Sequence, residues 1–382
     1  MTAPALDVET VRSAGDIPEQ RWDALAGGLY GSHRWHRFQE RERAGIDARH
    51  LIASRAGEAV AALPLYRLRD ETHGAYRLGE LLPESVARDE HHVLLGNRHG
   101  YNNGLLVRPG TPEPQRREVF GRLLERAGAW FDERQVPTAW WPYLDDEGVA
   151  TLRPLLAGRV PLLLGCEAAL ALPGDGFADY LGMLSRRRAR AVSAERDAFA
   201  RQRYHIVECR LGECVEDVVA LGLQTTAKYG GSGLSTAAAR RMIAQQAEVL
   251  DPVTTVLFCA GDDGPAGFAM LLEHGDAAYA RTVGFDYARL RSAYEYFEML
   301  FYQPIERAYR LGRRRIWFGT TSYRAKVSRG CLLYARWALP VRVAAWPDSA
   351  VRRHNRELVA RLEEELGTLR RALPYDTILP HC

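Results

Sequence analysis

The chain has 382 residues, 47% of them hydrophobic and 26% charged, with a formal net charge of +3. That length and apolar content support sizeable cores and suggest about two domains, while so small a net charge gives no ground by itself for a nucleic-acid partner. No window of about eighteen apolar residues reads as a membrane span, and the opening MTAPALDVETVRSAGD is acidic and polar where a secretion signal is basic and then apolar. The expectation is a cytoplasmic protein without membrane insertion.

In chain order, PEQRWDALAG and WHRFQERERAG predict two helices, and HLIASRAG and EAVAALPLYRLR, joined by a Gly-containing turn, predict a hairpin. HGYNNGLLVRPG carries an Asn-Asn-Gly turn beside an apolar run. Val119, Phe120, Leu123, Leu124, Ala127 and Phe131 fall on one helical stripe, with Thr111 and Pro112 as its start signal, and TAWWPY follows as a strand. The second half repeats this order. DGFADYLGMLSRRRARAVSAERDAFARQ, ECVEDVVALGLQTTAKYG and TAAARRMIAQQAEV predict helices, and VTTVLFCAGDDGPAGFAMLLEHGDAAYARTVGF predicts a three-stranded meander. ARLRSAYEYFEMLFYQPIERAYRLG then predicts a long helix kinked or split at Pro304, RRIWFGT a strand, TTSYRAKVSRG a polar loop, and LPVRVAAWP a last strand. Past Pro347, Val351, Leu358, Leu362, Leu366, Leu369 and Leu373 form a stripe on a charged helix, expected to pack back on the body rather than form a coiled-coil arm. Duplication of one α/β unit is the economical explanation of the repeated order.

The six cysteines include no C-x-x-C pair, which argues against both a zinc knuckle and a disulfide framework, and His91-His92 has no convincing third ligand, so no metal is expected. Lysine is the informative residue. Lys+Arg is 51, yet the only lysines are Lys228 and Lys326, which leaves 49 arginines. A compact ammonium and a planar guanidinium do different chemistry, so the survivors direct attention to their surroundings. Lys326 stands with Thr320, Thr321, Ser322 and Tyr323 after a strand, in a segment without apolar periodicity, which is where α/β proteins place chemistry.

Two stretches resemble Fem-type transferases and related GNAT-like acyltransferases. One is the helix-to-loop run with Tyr296-Phe297-Glu298, Tyr302-Gln303, Ile305, Ala308, Gly312, Gly319, Lys326 and Arg329-Gly330; the other carries Tyr180, Leu181, Leu184, Ser185, Arg186 to Arg188 and Glu195-Arg196. Together they anchor roughly the second half of the chain. The resemblance implies an α/β (α+β) fold of two tandem GNAT-like domains, each a mixed, mainly antiparallel sheet flanked by helices. The expected boundaries are 1–165 and 166–346, with a C-terminal helix and tail over 347–382.

The resemblance further implies amide-bond formation between a small-molecule amine and an activated acyl or aminoacyl donor: aminoacyl-tRNA, a carrier-protein phosphopantetheine thioester, or acyl-CoA. No tightly bound cofactor is expected. Lys326 would face the developing oxyanion. Tyr296 or Tyr323 would assist proton transfer or positioning, and Glu298, Asp286 or water would serve as base. Tyr101, Asn102, Asn103, Lys228, Tyr229, Thr320 and Thr321 are candidate substrate contacts, and Arg186, Arg187, Arg188 and Arg190 candidate phosphate contacts.

One departure bears on the donor. A typical CoA-binding loop after the fourth strand offers backbone amides to pyrophosphate, whereas this chain reads Arg281-Thr282-Val283-Gly284-Phe285-Asp286, with a carboxylate where a small residue is required. The glycine-rich string Lys228-Tyr229-Gly230-Gly231-Ser232-Gly233 precedes the meander, which is the wrong context for a phosphate loop. CoA is therefore disfavoured. Natural-product tailoring and cell-wall-related synthesis both fit, and the competing class is a non-catalytic RNA-binding or interaction module using its arginine helix.

Overall fold

The computed structural model describes residues 5–42, 46–69, 71, 73–88, 91–231 and 234–382. Ser232 and Gly233 of the glycine-rich string lie outside them. From the N-terminus run β1 (Leu6–Val11), α1 (Glu19–Asp23), α2 (His33–Glu42), β2 (Asp47–Arg55), β3 (Glu58–Arg69), α3 (Leu78–Leu81), β4 (His91–Leu95), β5 (Leu106–Val107), α4 (Glu113–Glu133), β6 (Thr138–Leu144), α5 (Asp146–Leu152) and β7 (Leu162–Ala171). Next come α6 (Phe177–Met183), α7 (Arg186–Ala200), β8 (His205–Cys209), α8 (Val215–Lys228), α9 (Thr236–Leu250), β9 (Thr254–Gly261), β10 (Gly264–His274) and β11 (Ala277–Phe285). The chain ends with α10 (Glu295–Phe297), a π-turn over Glu298–Tyr302, α11 (Gln303–Arg310), β12 (Arg315–Gly319), α12 (Tyr323–Val327), β13 (Leu332–Arg342), α13 (Asp348–Leu366) and α14 (Tyr375–Ile378). Among the described residues no helix is long and apolar enough to cross a membrane.

Two compact units result, one of residues 1–167 with 333–382 and one of residues 168–332. The expected division at 165/166 falls two residues from the observed one, inside β7. The expected second domain was too long at its C-terminal end, because residues 333–346 belong with the first unit. The C-terminal helix belongs there as well: Ala350 and Val351 are buried in one cluster with Tyr66, Trp140, Leu162 and Trp346. The observed last strand also starts earlier than LPVRVAAWP, at Leu332.

Each unit repeats one pattern. In the first, β2, β3 and β4 are antiparallel neighbours, and β4 pairs parallel with β6 after the α4 crossover; in the second, β9, β10 and β11 are antiparallel and β11 pairs parallel with β12 after α10 and α11. The parallel ladders are short: His92–Leu94 against Thr138–Trp140, and Ala277–Tyr279 against Arg315–Trp317. Beyond them the strand ends part. In the first unit the gap is bridged by Asn103, whose side-chain amide donates to Leu95 O at 3.0 Å and Pro142 O at 2.9 Å. A Cβ at Gly96 would lie 2.0 Å from Asn103 Oδ1, so the glycine is required where the amide seats.

The helix predicted over 288–312 begins only at Glu295. Pro304 has no N–H to return to the carbonyl of Leu300, and the backbone there widens into the π-turn. The single helix predicted over 175–202 is two, because Ser185 interrupts it and accepts the Arg188 N–H as the cap of α7. The edge strands β1 and β8 were not predicted; their alternating, half-exposed patterns leave few apolar residues to find.

The first unit buries His33, His36 and His50 around Trp22. His36 Nδ1 shares a hydrogen bond with Tyr66 Oη at 2.6 Å, and His50 Nε2 bonds Glu40 Oε1 at 2.6 Å. Burial, followed by the neighbouring His50 and His33, lowers the His36 pKa well below its ordinary 6.5. Burial alone would raise Glu40, but bonds from His50, Ser13 and the Ala14 N–H outweigh it and lower the group. The unfolded chain thus binds the His36 proton more tightly than the folded one. This contribution to stability is fully present above pH 6.5 and is lost as pH falls below it, by at most about 1.4 kcal/mol per pH unit. Urea unfolding of the wild type should lose stability between about pH 6.5 and 5, above the range where carboxylates titrate, and His36→Gln should reduce that slope while leaving the share of His354 and His381, which burial also lowers; equal slopes in the two proteins would refute the assignment.

Candidate functional site

In the second unit Gly319, at the end of β12, has φ 74°, a left-handed conformation that favours glycine, and Ser322 follows at φ 55°. Those two residues turn the chain so that 323–327 close one helical turn. The segment read as a polar loop is therefore α12, and its inward residues at i and i+3 are Tyr323 and Lys326. Lys326 is 3% exposed, and its ammonium donates to Gly319 O at 3.2 Å. A fixed positive charge thus stands where β12 has parted from β11. Burial pushes the neighbouring Cys331 thiol up to about 12 although Lys326 and Arg329 pull it down, so it is protonated and a poor nucleophile at neutral pH.

The second lysine lies against an aromatic wall. Lys228, at the C-terminal end of α8, holds its ammonium 3.5 Å from the centre of the Tyr287 ring. Ser322, Tyr287 and Tyr229 lie near enough to Tyr296 to act on its ionisation, and the Tyr296 ring lies 6.2 Å from that of Phe285 between centroids. Burial is the main cause of the raised Tyr296 pKa, with Ser322 and Arg329 partly opposing it. Tyr287 and Tyr296 thus both pack against Phe285, with Lys228 over the Tyr287 ring. Tyr229, next to Lys228 in the chain, is 75% exposed, Thr321 is exposed and Thr320 half-buried.

Behind this wall the two motif stretches meet. Arg329, 2% exposed, donates to Tyr302 Oη at 2.9 Å and to Glu195 Oε2 at 2.7 Å, and its guanidinium lies 3.5 Å from the centre of the Phe297 ring. Tyr302 also donates to Glu195, and Tyr180 Oη donates to Arg329 O at 3.2 Å. Arg196 bonds Glu306 and approaches Glu298, which also accepts from Gln303 at 2.8 Å.

Three of the candidates are held within the scaffold, Asp286 in the capping place that was the favoured alternative for it. Glu298 is 2% exposed and engaged by Arg196 and Gln303; burial raises its pKa despite those partners, and it belongs to the scaffold rather than to an accessible base. Asp286 accepts the Ala288 N–H at 3.1 Å and pairs with Arg289 at 3.2 Å, capping a turn. Asn103 lies in the first unit with both amide hydrogens committed to strand carbonyls, which leaves it no donor for a substrate. Tyr101 and Asn102 are half-buried in that unit, and their carbonyls accept from Arg336 at 2.8 Å and Asn97 at 3.4 Å. Arg186, Arg187 and Arg190 are exposed on α7, and Arg188 is half-buried.

The loop between β11 and α10 holds a feature that the sequence reading missed. Glu295, 3% exposed, accepts the backbone N–H of Arg291 at 2.6 Å, that of Ala293 at 2.9 Å, and Tyr204 Oη at 3.1 Å. Backbone N–H groups ahead of a helix are a ready anion seat, and here the chain's own carboxylate sits in it. Gly284, within the string compared with a CoA loop, serves packing instead: a Cβ there would meet Phe268 at 2.3 Å and the Leu221 carbonyl carbon at 2.8 Å. Ser322, Tyr287, Glu195 and Arg329 were also not singled out as site residues; only the motif positions of Glu195 and Arg329 could have drawn attention to them.

No protein-family model and no curated protein matches the sequence. Among solved structures, the chain is similar to FemX at 12% identity, TM-score 0.60, over 86% of this chain and 96% of that one. It is also similar to the C-terminal domain of a putative lysylphosphatidylglycerol synthetase from Agrobacterium fabrum at 11% identity, TM-score 0.52, over 87% and 93%. L-PGS from Bacillus licheniformis matches at 11% identity, TM-score 0.50, over 90% and 96%. The repeated sheet pattern and these likenesses together give the chain a Fem-type, tandem GNAT-like fold.

Proposed function

We propose that the protein is an N-acyltransferase that joins a small-molecule amine to an activated acyl or aminoacyl donor by direct attack of the neutral amine on the carbonyl. The observation that carries this reading is the buried ammonium of Lys326, fixed on Gly319 O where β12 parts from β11. A preorganised cation at low dielectric stabilises a developing oxyanion without moving at the moment of reaction. Tyr296, near Ser322 at the start of α12, supplies a hydroxyl to position the amine or relay its proton, and Lys228 with Tyr229 forms the outer wall for substrate. With Glu298 and Asp286 committed elsewhere, solvent receives the amine proton. A similar fold occurs in a protein named as a putative lysylphosphatidylglycerol synthetase, a name that speaks of an acylated product.

The occupied anion seat at Glu295 supports a donor other than CoA, because a pyrophosphate there would have to displace a carboxylate held by three donors. A carrier-protein thioester or an aminoacyl-tRNA needs no such loop. The fold has no direct bearing on the pathway; natural-product tailoring is the reading we favour over cell-wall synthesis.

Two outcomes are expected. Lys326→Ala should lower kcat by about 10²- to 10³-fold with a much smaller change in KM, and Lys326→Arg should not restore it, since a guanidinium is larger and cannot take the ammonium's place on Gly319 O; full transfer by the arginine variant would contradict the role. Free CoA at about 1 mM should neither inhibit transfer nor raise the melting temperature, whereas a rise of several degrees would show a working CoA site.

A further inference from the structure

One surface of the second unit is used by none of the contacts above. Met183 closes α6 with 43% of its surface exposed, and Leu332 opens β13 at 57%. The Met183 methyl carbon lies 3.3 Å from the position of a Cβ on Gly330, so Met183 packs against the turn that leads two residues on to Leu332. Three residues along the chain from Met183, α7 opens with Arg186 and Arg187 exposed, as Arg190 is one turn on, and with no acidic residue in its first turn. Among the described residues these three make no ion pair, and Arg188 reaches only Glu195, at 4.0 Å, a carboxylate that Arg329 already engages. The same face borders the site: Gly330 N donates to Val327 O at 3.0 Å and Cys331 N to Lys326 O at 3.2 Å, so the turn beneath it ends α12.

Adjacent arginines repel one another, and a methionine and a leucine beside them keep apolar area in water; a single partner that relieves both must be anionic around an apolar centre. A phosphate backbone would satisfy the arginines and leave Met183 and Leu332 wet. An amphipathic helix with Asp and Glu flanking apolar side chains meets both demands. Resting on the acyl-transfer reading, we infer that this face docks the acidic helix of an acyl carrier protein and so delivers the donor beside Lys326. In the step that follows, the amine nitrogen bonds to the carbonyl carbon, the carbon–sulfur bond breaks, and the proton of the amine passes through solvent to the departing carrier thiolate.

The test uses the full-length protein with a purified acidic acyl carrier protein in its holo form, and separately with deacylated bulk tRNA, in a surface-binding assay at about 50 and about 300 mM salt. The carrier should bind, weaken with salt, and lose about tenfold or more affinity with Arg186→Glu/Arg187→Glu. Met183→Ser/Leu332→Ser should cost it about fivefold, the expected effect of wetting two apolar contacts, with circular dichroism melting unchanged for both variants. Absence of carrier binding, indifference of that binding to either variant, or tRNA binding that needs the arginines and ignores Met183 and Leu332 would each overturn the inference. Transfer from a small free thioester separates the two failures. If the docking variants retain it while carrier binding is lost, docking is located here; if the wild type lacks it, the acyl-transfer reading fails on its own account.

Discussion

The second unit turns on the guanidinium of Arg329. Its planar fork reaches Tyr302 in the π-turn and Glu195 on α7 at once, and the Phe297 ring covers its face at 3.5 Å. Removing one partner of so buried a pair leaves an uncompensated charge, a loss of about 3–5 kcal/mol, which is why three segments distant in sequence hold one position relative to one another. α12 ends at Val327 and the Arg329 N–H donates to Lys326 O at 2.9 Å, so the place of Lys326 follows from it: the helix turn carrying the ammonium is anchored from behind by Arg329 and from in front by Gly319 O.

The two units apply one sheet pattern to different ends. In the first, the parted ends of β4 and β6 are closed by a neutral amide, Asn103, which satisfies both carbonyls and leaves no charge. In the second, the end of β12 receives a cation, and the anion seat before α10 is filled by Glu295. The second arrangement thus leaves a preorganised charge at a strand end where the first leaves a neutral amide. The contrast is the physical basis for assigning chemistry to one unit and scaffold to the other.

Much of the architecture was legible because it rests on local periodicity: the hairpin of β2 and β3, the meander of β9 to β11, the helical stripe of α4, and their repetition. The two lysines were legible by contrast with 49 arginines; Lys326 is buried on Gly319 O and Lys228 lies over the Tyr287 ring. What sequence could not show was commitment. Glu298 and Asp286 look like bases until their partners are seen, and Asn103 looks like a binding residue until both hydrogens of its amide are found on strand carbonyls. α12 escaped because its five residues have no period long enough to register, and its entry depends on left-handed backbone at Gly319 and Ser322. Glu295 escaped because an anion seat made of backbone N–H groups leaves no trace in side-chain identity.

The central claim is that a cation fixed at the end of β12 serves amide-bond formation from a donor other than CoA. It is tested most directly by incubating the purified protein with a pool of candidate amines and, in parallel, acylated carrier proteins, charged tRNA or acyl-CoA, and reading products by mass spectrometry. The expected result is a new amide mass that depends on the protein in the carrier or tRNA reaction and not in the acyl-CoA reaction. No amide from any donor, or amide from acyl-CoA alone, would contradict it.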